Sequence, residues 1–453
     1  MKKRGTPTAG VPLFLPAFSL PQCKKRRMID LLARAGFQNR AGARNPYAAL
    51  RPILRWGRVK LELLDAQAAG LYGEMLALKE DLHRHPEIGF QERRTTALLR
   101  VKLDALGLRF VDLGMDTGVA AVLEGGSPGK TAALRADIDA IAETEEQSHA
   151  VRSETAGLMH GCGHDFHTAC LYGAARLLAA RRETLSGRVV FLFQPAEEET
   201  QGAQALLDRG VWEKAGGRPD CIFGLHNRPE LPAGQVAVLL GPIMAGKINF
   251  RVTLRGKSGH GGSPHKCVDP VVAGAALVDG VQTIVSRSTD PQDALVCAVY
   301  SLHTDAPDFF VPASLTMTGS IRYLRAAAGQ RAAERLKVLA AGIAAAYGCQ
   351  AETQLLPQVP VTRNAPSLAE IAKRAAAETA GAENTVSPPP DMGSEDFAVY
   401  GTEIPAFFYW LGSGFPGREN APWHSPQFCT NDAALPLGAA LLARSALLAL
   451  ECL

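Results

Sequence analysis

The sequence has no cysteine framework. Its nine cysteines are scattered from Cys23 to Cys452, odd in number and without regular spacing. A secreted chain stapled by disulfides typically has an even number at defined intervals, so reduced thiols are the simplest interpretation. No second CxxC or HxxxH pair occurs, which argues against an ordinary four-ligand structural zinc site.

Long apolar runs are also missing. No stretch approaches the roughly 18 residues of a membrane span, so we expect no membrane association. Residues 11–20 resemble the apolar part of a signal peptide, but Pro12, Pro16 and the KKRR stretch at 24–27 argue against export. We therefore predict a cytoplasmic protein.

The net charge of +3 is small but unevenly distributed. Between Met1 and Lys60, fourteen lysines and arginines accompany a single acid, Asp30. This segment has neither a recognition module nor interleaved aromatic residues, so we expect no nucleic-acid partner. We predict a basic, disordered extension over residues 1–60, with a weak targeting segment or an over-extended start codon as alternatives.

The length favours two folded domains. A chain of 453 residues is too long for one ordinary core, and 47% hydrophobic with 21% charged residues is typical of a soluble enzyme. Residues 248–355 carry six predicted elements in the order βαββαβ, the split βαβ or ferredoxin-like arrangement. The predicted elements are strands at 248–254, 294–301, 315–324 and 349–355, with helices at 269–287 and 330–347. We predict that residues 244–356 are inserted between the two parts, 61–243 and 357–453, of a first domain.

The stretch HGCGHDFHTA, His160 to Ala169, concentrates metal-ligating groups. A thiol, Cys162, and an imidazole, His164, flank one glycine, and a borderline-soft divalent metal prefers that pair. The following residues have helical spacing, so His164 should lie near a helix start. A structural zinc knot or a redox cysteine is the alternative.

Acidic or imidazole groups follow three short apolar runs. Residues 131–134 lead into Asp137 and Asp139, residues 189–193 into QPAEEE, and residues 221–225 into His226. The carboxyl ends of strands in open α/β sheets line the ligand crevice, so these groups should converge.

QPAEEE places Glu197 and Glu198 side by side at one of these strand exits. Adjacent carboxylates resist joint ionisation unless a cation compensates them. One carboxylate can then ligate a metal while its neighbour holds a water. A solvent-exposed acidic loop is the alternative.

Five candidate ligands therefore come from four separate stretches. They are Cys162, His164, Glu198, His226 and His424. Two ions roughly 3.5 to 4 Å apart, sharing a bridging ligand, would use such a set and lower the pKa of bound water to about 7. Glu197 would accept a proton and pass it to a leaving nitrogen, so the predicted reaction is metal-assisted amide hydrolysis. A helix is predicted over residues 61–83, and the segment at its end contains His83, His85, Glu87 and Glu92. For these four side chains we favour capping and ion pairing over metal binding.

Eight motifs in order resemble the amidohydrolase branch of the aminoacylase and metallocarboxypeptidase superfamily, which includes hippurate hydrolases, N-acyl-L-amino-acid amidohydrolases and indole-acetyl-amino-acid hydrolases. The motifs are DLHRHPEIGFQE, ALRADIDAI, HGCGHDFHTA, QPAEEE, GLHNRP, GKSGHGGSPH, GSEDFAVY and HSPQF. They run from about Leu61 to the C-terminus. The resemblance implies an α/β fold in which a mixed-sheet, metallopeptidase-like catalytic domain carries an inserted ferredoxin-like βαββαβ domain that serves as lid and dimerisation domain.

The resemblance also implies roles for individual residues. Cys162 would bridge two metals, with His164, Glu198, His226 and His424 completing their coordination and Glu197 as general base. Asp137 would orient a ligand, as metal sites require. His260 is similar to a histidine that stabilises the oxyanion in a partner subunit, and Arg322 to an arginine that binds the substrate carboxylate. A surface histidine and an outward-facing strand charge are the respective alternatives.

Several positions depart from the family pattern. Glu199 replaces the glycine that usually follows the glutamate pair, Phe309 replaces an asparagine, and Ala313 replaces an aspartate. The glycine-rich stretch after the glutamate pair is thinned to residues 200–202, TQG, and the proline expected after ALRADIDA is displaced, which leaves Ile141 and Ala142 there. These changes leave the ligand set intact but affect the expected substrate pocket.

The sequence thus predicts a binuclear metal-dependent hydrolase that cleaves N-acyl amino acids, of the hippurate hydrolase type, acting as a homodimer. Manganese or zinc is expected, with cobalt or nickel as alternatives. A dipeptide or carbamoyl-amide hydrolase on the same scaffold is one alternative function. A non-catalytic protein that binds amino-acid conjugates is another, although a carrier has no use for Glu197 as a base.

Overall fold

The computed structural model describes residues 64–146, 151–306 and 309–453, which fall in the compact unit Lys60–Leu453. The predicted basic extension, residues 1–60, lies outside the described residues. The fold is α/β with one large mixed sheet and one smaller antiparallel sheet, as predicted.

The large sheet has eight strands in the order β1-β2-β4-β3-β5-β16-β6-β15. They are β1 (Arg109–Val111), β2 (Val119–Glu124), β3 (Ser127–Asp137), β4 (Ser186–Gln194), β5 (Cys221–Pro232), β6 (Val236–Ala237), β15 (Thr385–Val386) and β16 (Ala406–Gly414). Strands β4, β3, β5 and β16 are mutually parallel, whereas β1, β2 and β6 are joined by antiparallel pairing. The carboxyl ends of β3, β4 and β5 therefore meet at one edge, so the predicted convergence of the polar groups is confirmed.

Nine α-helices have bounds that the structure gives in full. They are α1 (Tyr72–Arg84), α2 (Arg93–Asp104), α3 (His164–Ala179), α4 (Gly202–Asp208), α5 (Val211–Ala215), α6 (Pro270–Ser288), α7 (Ala326–Ala346), α8 (Ala369–Ala380) and α9 (Leu435–Cys452). Residues 64–70 are also helical, so the helix predicted over 61–83 is interrupted by a turn at Leu71 before α1.

Two hydrophobic cores cover the faces of the large sheet. Alternate strand residues point to opposite faces, so Phe191 and Phe223 pack under α1, α3, α8 and α9. Their neighbours Val190 and Ile222 pack with Trp410 on the other face, beside α4 and α5. The sheet edge at which the polar groups converge is therefore packed between these two hydrophobic cores.

The smaller sheet has the predicted βαββαβ connectivity. Its strands are β8 (Gly246–Arg255), β10 (Leu295–Thr304), β12 (Ser314–Tyr323) and β13 (Gln350–Val359), in the order β10-β12-β8-β13 and antiparallel throughout. Helices α6 and α7 cover one face and enclose a third hydrophobic core. Short strands complete the fold: β7 (Gly241–Met244) with β14 (Thr362–Asn364), and β9 (Gly259–His260) with β11 (Phe310–Val311). The division at 244–356 into two domains stays a prediction.

One expectation is wrong. The segment Asp432–Cys452 is long and apolar enough to span a membrane, with a mean hydropathy of 1.8, although we predicted no such stretch. Arg444 and Ser445 interrupt its apolar run, but the mean hydropathy stays high enough for a membrane span. Because 72% of its apolar window is buried, this segment, which contains α9, packs as a core helix.

Candidate metal centre

The cysteine–histidine motif forms a tight turn at the start of α3. His164 is the first residue of the helix, and Gly163 before it has a φ of 86°, in the left-handed region that favours glycine. A Cβ at Gly163 would lie 2.4 Å from Nδ2 of Asn227. That amide donates to the carbonyl oxygen of Cys162 at 2.5 Å. The glycine therefore lets Asn227 fix the turn that carries both candidate ligands.

The five predicted ligands lie close together. The Cys162 Sγ is 3.4 Å from Nε2 of His226, and the Nε2 of His164 is 3.9 Å from Oε1 of Glu198. The same glutamate oxygen is 3.2 Å from Nε2 of His424. His424 comes from the loop after β16, has a φ of 62°, and donates its backbone N–H to the carbonyl of Gly161 at 2.8 Å. Four separate stretches thus meet at one point.

The candidate ligand atoms form overlapping sets, in each of which all atoms lie within 4.8 Å of one another. The sets at this point are Cys162 with His164 and His226, Cys162 with Glu198 and His424, and His164 with Glu197 and Glu198. Cys162 belongs to two sets, one with His164 and His226 and the other with Glu198 and His424. This arrangement suits two ions that share one thiolate.

The donor atoms fit a metal chemically. Nε2 of His164 is buried and has no hydrogen-bond partner among the described residues. Burial lowers the pKa of this imidazole, but the negative charges of Asp137 and Asp139 outweigh burial and raise it to about 10, so a metal ion that binds Nε2 would displace a proton from it. Burial, with a smaller effect of His167, holds the pKa of His226 well below its usual range, so that ring is neutral and can ligate. The site holds an excess of negative charge, which favours a divalent cation.

Glu197 is the buried carboxylate of the glutamate pair. Burial raises its pKa well above the usual range, and the charges of Glu395 and Glu198 raise it further. Its Oε2 is 3.9 Å from Nε2 of His164, and its Oε1 accepts the backbone N–H of Asp396 at 3.3 Å. Glu197 therefore lies beside the candidate ligands, and the backbone N–H of Asp396 fixes one of its two carboxylate oxygens.

The structure assigns the ligand-orienting contact to Asp139. Its Oδ1 is 3.1 Å from Nδ1 of His164, on the ring nitrogen away from the ligand cluster, and its Oδ2 accepts the backbone N–H of Glu198 at 3.0 Å. Asp137, for which we predicted this role, lies with its Oδ1 2.6 Å from Nδ1 of His167. Its other oxygen remains 3.7 Å from Nε2 of His164. The strand-exit pattern includes both Asp137 and Asp139, but we predicted no individual role for Asp139 or for His167.

A buried arginine connects this edge of the sheet to the GSEDF motif. Arg135 donates to Asp137 at 2.8 Å, to Glu395 at 2.9 Å and to Asp396 at 3.0 Å. Because Asp396 holds Glu197, this network positions the glutamate. We did not predict the role of Arg135, because two of its three acidic partners, Glu395 and Asp396, lie about 260 residues away in the chain.

A cavity of about 400 Å³ opens onto the ligands. Its lining residues come from both sheets and from the connecting loops. They are Cys162, Glu197, Glu198, Thr200, His226, Met244, Lys247, Arg322, Gly393, Ser394, Glu395, Trp423 and His424. Arg322 therefore faces the cavity, and one of its N–H groups donates to the carbonyl of Met392 at 3.0 Å.

His260 does not line this cavity. It lies exposed on β9, and its Nδ1 accepts the backbone N–H of Gly262 at 3.0 Å. The predicted role in a partner subunit's site stays a prediction.

The earlier acidic and imidazole cluster makes structural contacts. Glu87 accepts the backbone N–H groups of Arg94 and Thr95, at 2.9 and 2.8 Å, and so caps α2. His83 is 2.8 Å from Asp165 through Nδ1. Glu92 accepts the backbone N–H of Ala196 at 2.8 Å, beside the glutamate pair. Capping and pairing are thus the observed roles, as predicted.

Three departures from the family pattern, Glu199, Phe309 and Ala313, lie outside the cavity lining, whereas Thr200 is one of the lining residues. Glu199 is exposed, Phe309 is 95% exposed with a φ of 81°, and Ala313 donates its backbone N–H to Asp305 at 3.1 Å. The described cavity walls therefore include Thr200 but not the side chains of the other three residues.

Comparisons with known proteins agree with this geometry. Peptidase family M20/M25/M40 matches residues 133–448. The chain is 37% identical over 378 residues to an N-acetylcysteine deacetylase of Bacillus subtilis, covering 83% of this chain and 97% of that protein. It is 34% identical to IAA-amino acid hydrolase ILR1-like 2 of Arabidopsis thaliana, covering 86% and 88%. A Bacillus subtilis dinuclear metal-binding peptidase of the M20 family superposes with a TM-score of 0.73 at 35% identity, covering 85% of this chain and 100% of that one.

Proposed function

Because the chain belongs to peptidase family M20/M25/M40, we propose that it is a binuclear metal-dependent amidohydrolase that cleaves N-acyl amino acids to a carboxylic acid and a free amino acid. The convergence of Cys162, His164, Glu198, His226 and His424 around the buried Glu197 carries this proposal. The names of the deacetylase and the IAA-amino acid hydrolase support the substrate class.

The five converging residues would hold two divalent ions, with Cys162 shared between them. When bound, such ions polarise the scissile carbonyl and lower the pKa of water towards 7. Asp139 fixes the ring of His164 through its Nδ1 atom, which leaves Nε2 directed at the cluster.

Glu197 performs the proton transfers. It accepts a proton from the attacking water and delivers it to the leaving nitrogen, so that the amine departs neutral. A carboxyl whose pKa is raised by burial suits both directions of transfer near neutral pH. The backbone N–H of Asp396 holds one carboxylate oxygen, so the other stays directed at the cavity.

Arg322 binds the α-carboxylate of the substrate from the opposite wall of the cavity. Its guanidinium keeps free N–H groups after the contact with Met392, and a planar fork matches a carboxylate. His260 completes the site from a second copy of the chain, which makes the functional unit a homodimer.

The direct test is release of free amino acid from N-acetyl, N-benzoyl and N-indoleacetyl amino acids. The full chain is loaded with Mn²⁺, Zn²⁺ or Co²⁺, and a chelated sample is the control. We expect metal-dependent release from at least one substrate. If protein that holds two metals per chain released no amino acid from any of these substrates, the proposal would be contradicted.

A further inference from the structure

Two cationic side chains face each other on one wall of the cavity. Lys247 lies on β8 and Arg322 on β12, and the antiparallel register places these residues directly opposite each other. Their neighbours Ile248 and Ile321 are buried in the core under α6 and α7. Since successive strand residues point to opposite faces, both cations share the face that borders the cavity.

Like charges directly opposite each other on paired strands destabilise a sheet unless something compensates them. Arg322 has a partner, the carbonyl oxygen of Met392. Lys247 has no hydrogen bond or ion pair within residues 64–146, 151–306 and 309–453. Burial lowers the pKa of Lys247 and the charge of Arg322 lowers it further, and these two effects outweigh the charges of Glu197 and Glu198, which raise it. A partly buried second cation without a partner indicates that an anionic group of a ligand occupies this wall.

We propose that Lys247 selects substrates whose amino-acid part carries a second carboxylate, namely N-acyl aspartates and N-acyl glutamates. This inference rests on the proposed function, in which Arg322 takes the α-carboxylate. Because Lys247 is directly opposite Arg322, the two anionic groups must be neighbours in the substrate. In an amino acid with an acidic side chain they are neighbours, whereas a carboxylate on the acyl part lies across the scissile amide.

The test compares N-acetylglutamate with its neutral isostere N-acetylglutamine. For the metal-loaded wild-type chain we expect kcat/KM to be roughly 10- to 100-fold higher with N-acetylglutamate, as for a charge-assisted hydrogen bond. Lys247→Met, which removes the ammonium group and keeps an unbranched side chain, should abolish this preference and bring the ratio of the two kcat/KM values close to one. Lys373→Met, at an exposed position of α8, is the matched control and should keep the wild-type preference.

Three results would overturn the inference. The first is a wild-type enzyme that does not distinguish the two substrates. The second is an equal loss for both in Lys247→Met, with thermal melting and metal content unchanged, since Lys247 would then bind only the α-carboxylate. The third is a preference for N-succinylalanine over N-acetylalanine that disappears in Lys247→Met, which would place the second carboxylate on the acyl part.

A binding measurement separates this inference from the proposed function. If no N-acyl amino acid is hydrolysed, the proposed function fails. Calorimetric titration with free glutamate and glutamine then still tests whether Lys247 binds a second carboxylate. Tighter binding of glutamate to the wild-type chain, lost in Lys247→Met, would support the role of Lys247. Equal binding of the two amino acids would overturn it.

Discussion

His164 and Asp139 form the contact that orients the candidate metal centre, with Nδ1 of the imidazole 3.1 Å from Oδ1 of the carboxylate. The other oxygen of Asp139 accepts the backbone N–H of Glu198, so a single buried side chain holds two predicted ligands. A carboxylate on the far ring nitrogen fixes the tautomer and raises the basicity of a ligating histidine.

Replacing Asp139 should therefore weaken metal binding without removing any ligand. For Asp139→Asn we expect metal affinity to fall by about 10- to 100-fold, measured by competition with a chromophoric chelator. Asp104→Asn, at the exposed end of α2, should bind metal as the wild type does. An unchanged affinity in Asp139→Asn would contradict the orienting role.

The turn at Gly163 gives a second prediction. Gly163→Ala must adopt a left-handed φ and also displace Asn227, whose Nδ2 would lie 2.4 Å from the new Cβ. Gly157→Ala is the matched control, because Gly157 has a φ of 77° but no atom within 4 Å of the new Cβ. We expect both variants to lose about 1–2 kcal/mol of unfolding free energy to the backbone strain.

Only Gly163→Ala should lose additional stability and bind metal more weakly, because only there does Asn227 release the Cys162 carbonyl. Urea denaturation and metal titration measure the two effects. Equal behaviour of the two variants would show that the close approach of Asn227 has no role.

The buried His83 predicts a pH dependence of stability. Burial lowers the pKa of His83, but hydrogen bonds to Asp165 and Glu145 outweigh burial and raise it to about 9. Because this value exceeds the unfolded value of about 6.5, the imidazolium stabilises the fold fully below pH 6.5 and loses that effect as the pH rises through 9.

The difference in unfolding free energy between wild type and His83→Gln should shrink by about 3 kcal/mol from pH 6.5 to above pH 9. Denaturation at saturating metal measures it, and the exposed His265→Gln should follow the wild type. A difference that is constant with pH would contradict the shifted pKa.

The sequence predicts much of this fold because local periodicity and chain order determine it. The apolar runs before Asp137, Glu197 and His226 become parallel strands, and their carboxyl ends meet at one edge. The βαββαβ connectivity follows from alternating strand and helix patterns in the same way. These features depend on near neighbours in the chain.

Contacts between distant side chains were not predictable to the same degree. Arg135 pairs with Glu395 across about 260 residues, and neither motif contains a sequence signal that predicts this pairing. Asp137 is the last residue of β3 and Asp139 follows it closely, and only the packed geometry shows which of them contacts the ring of His164 through Nδ1. Lys247 is one of several lysines in the smaller sheet and its loops, and its position opposite Arg322 depends on strand register.

The most direct measurement of the central claim compares Glu197→Gln with Glu199→Gln. Glu197 is buried beside the ligands, whereas Glu199 is exposed two residues later in the same loop. We expect Glu197→Gln to keep two metals per chain and to lose amide hydrolysis by at least about 100-fold, while Glu199→Gln keeps both. Wild-type turnover in Glu197→Gln with both metals bound would contradict the assignment of the general base and the account built on it.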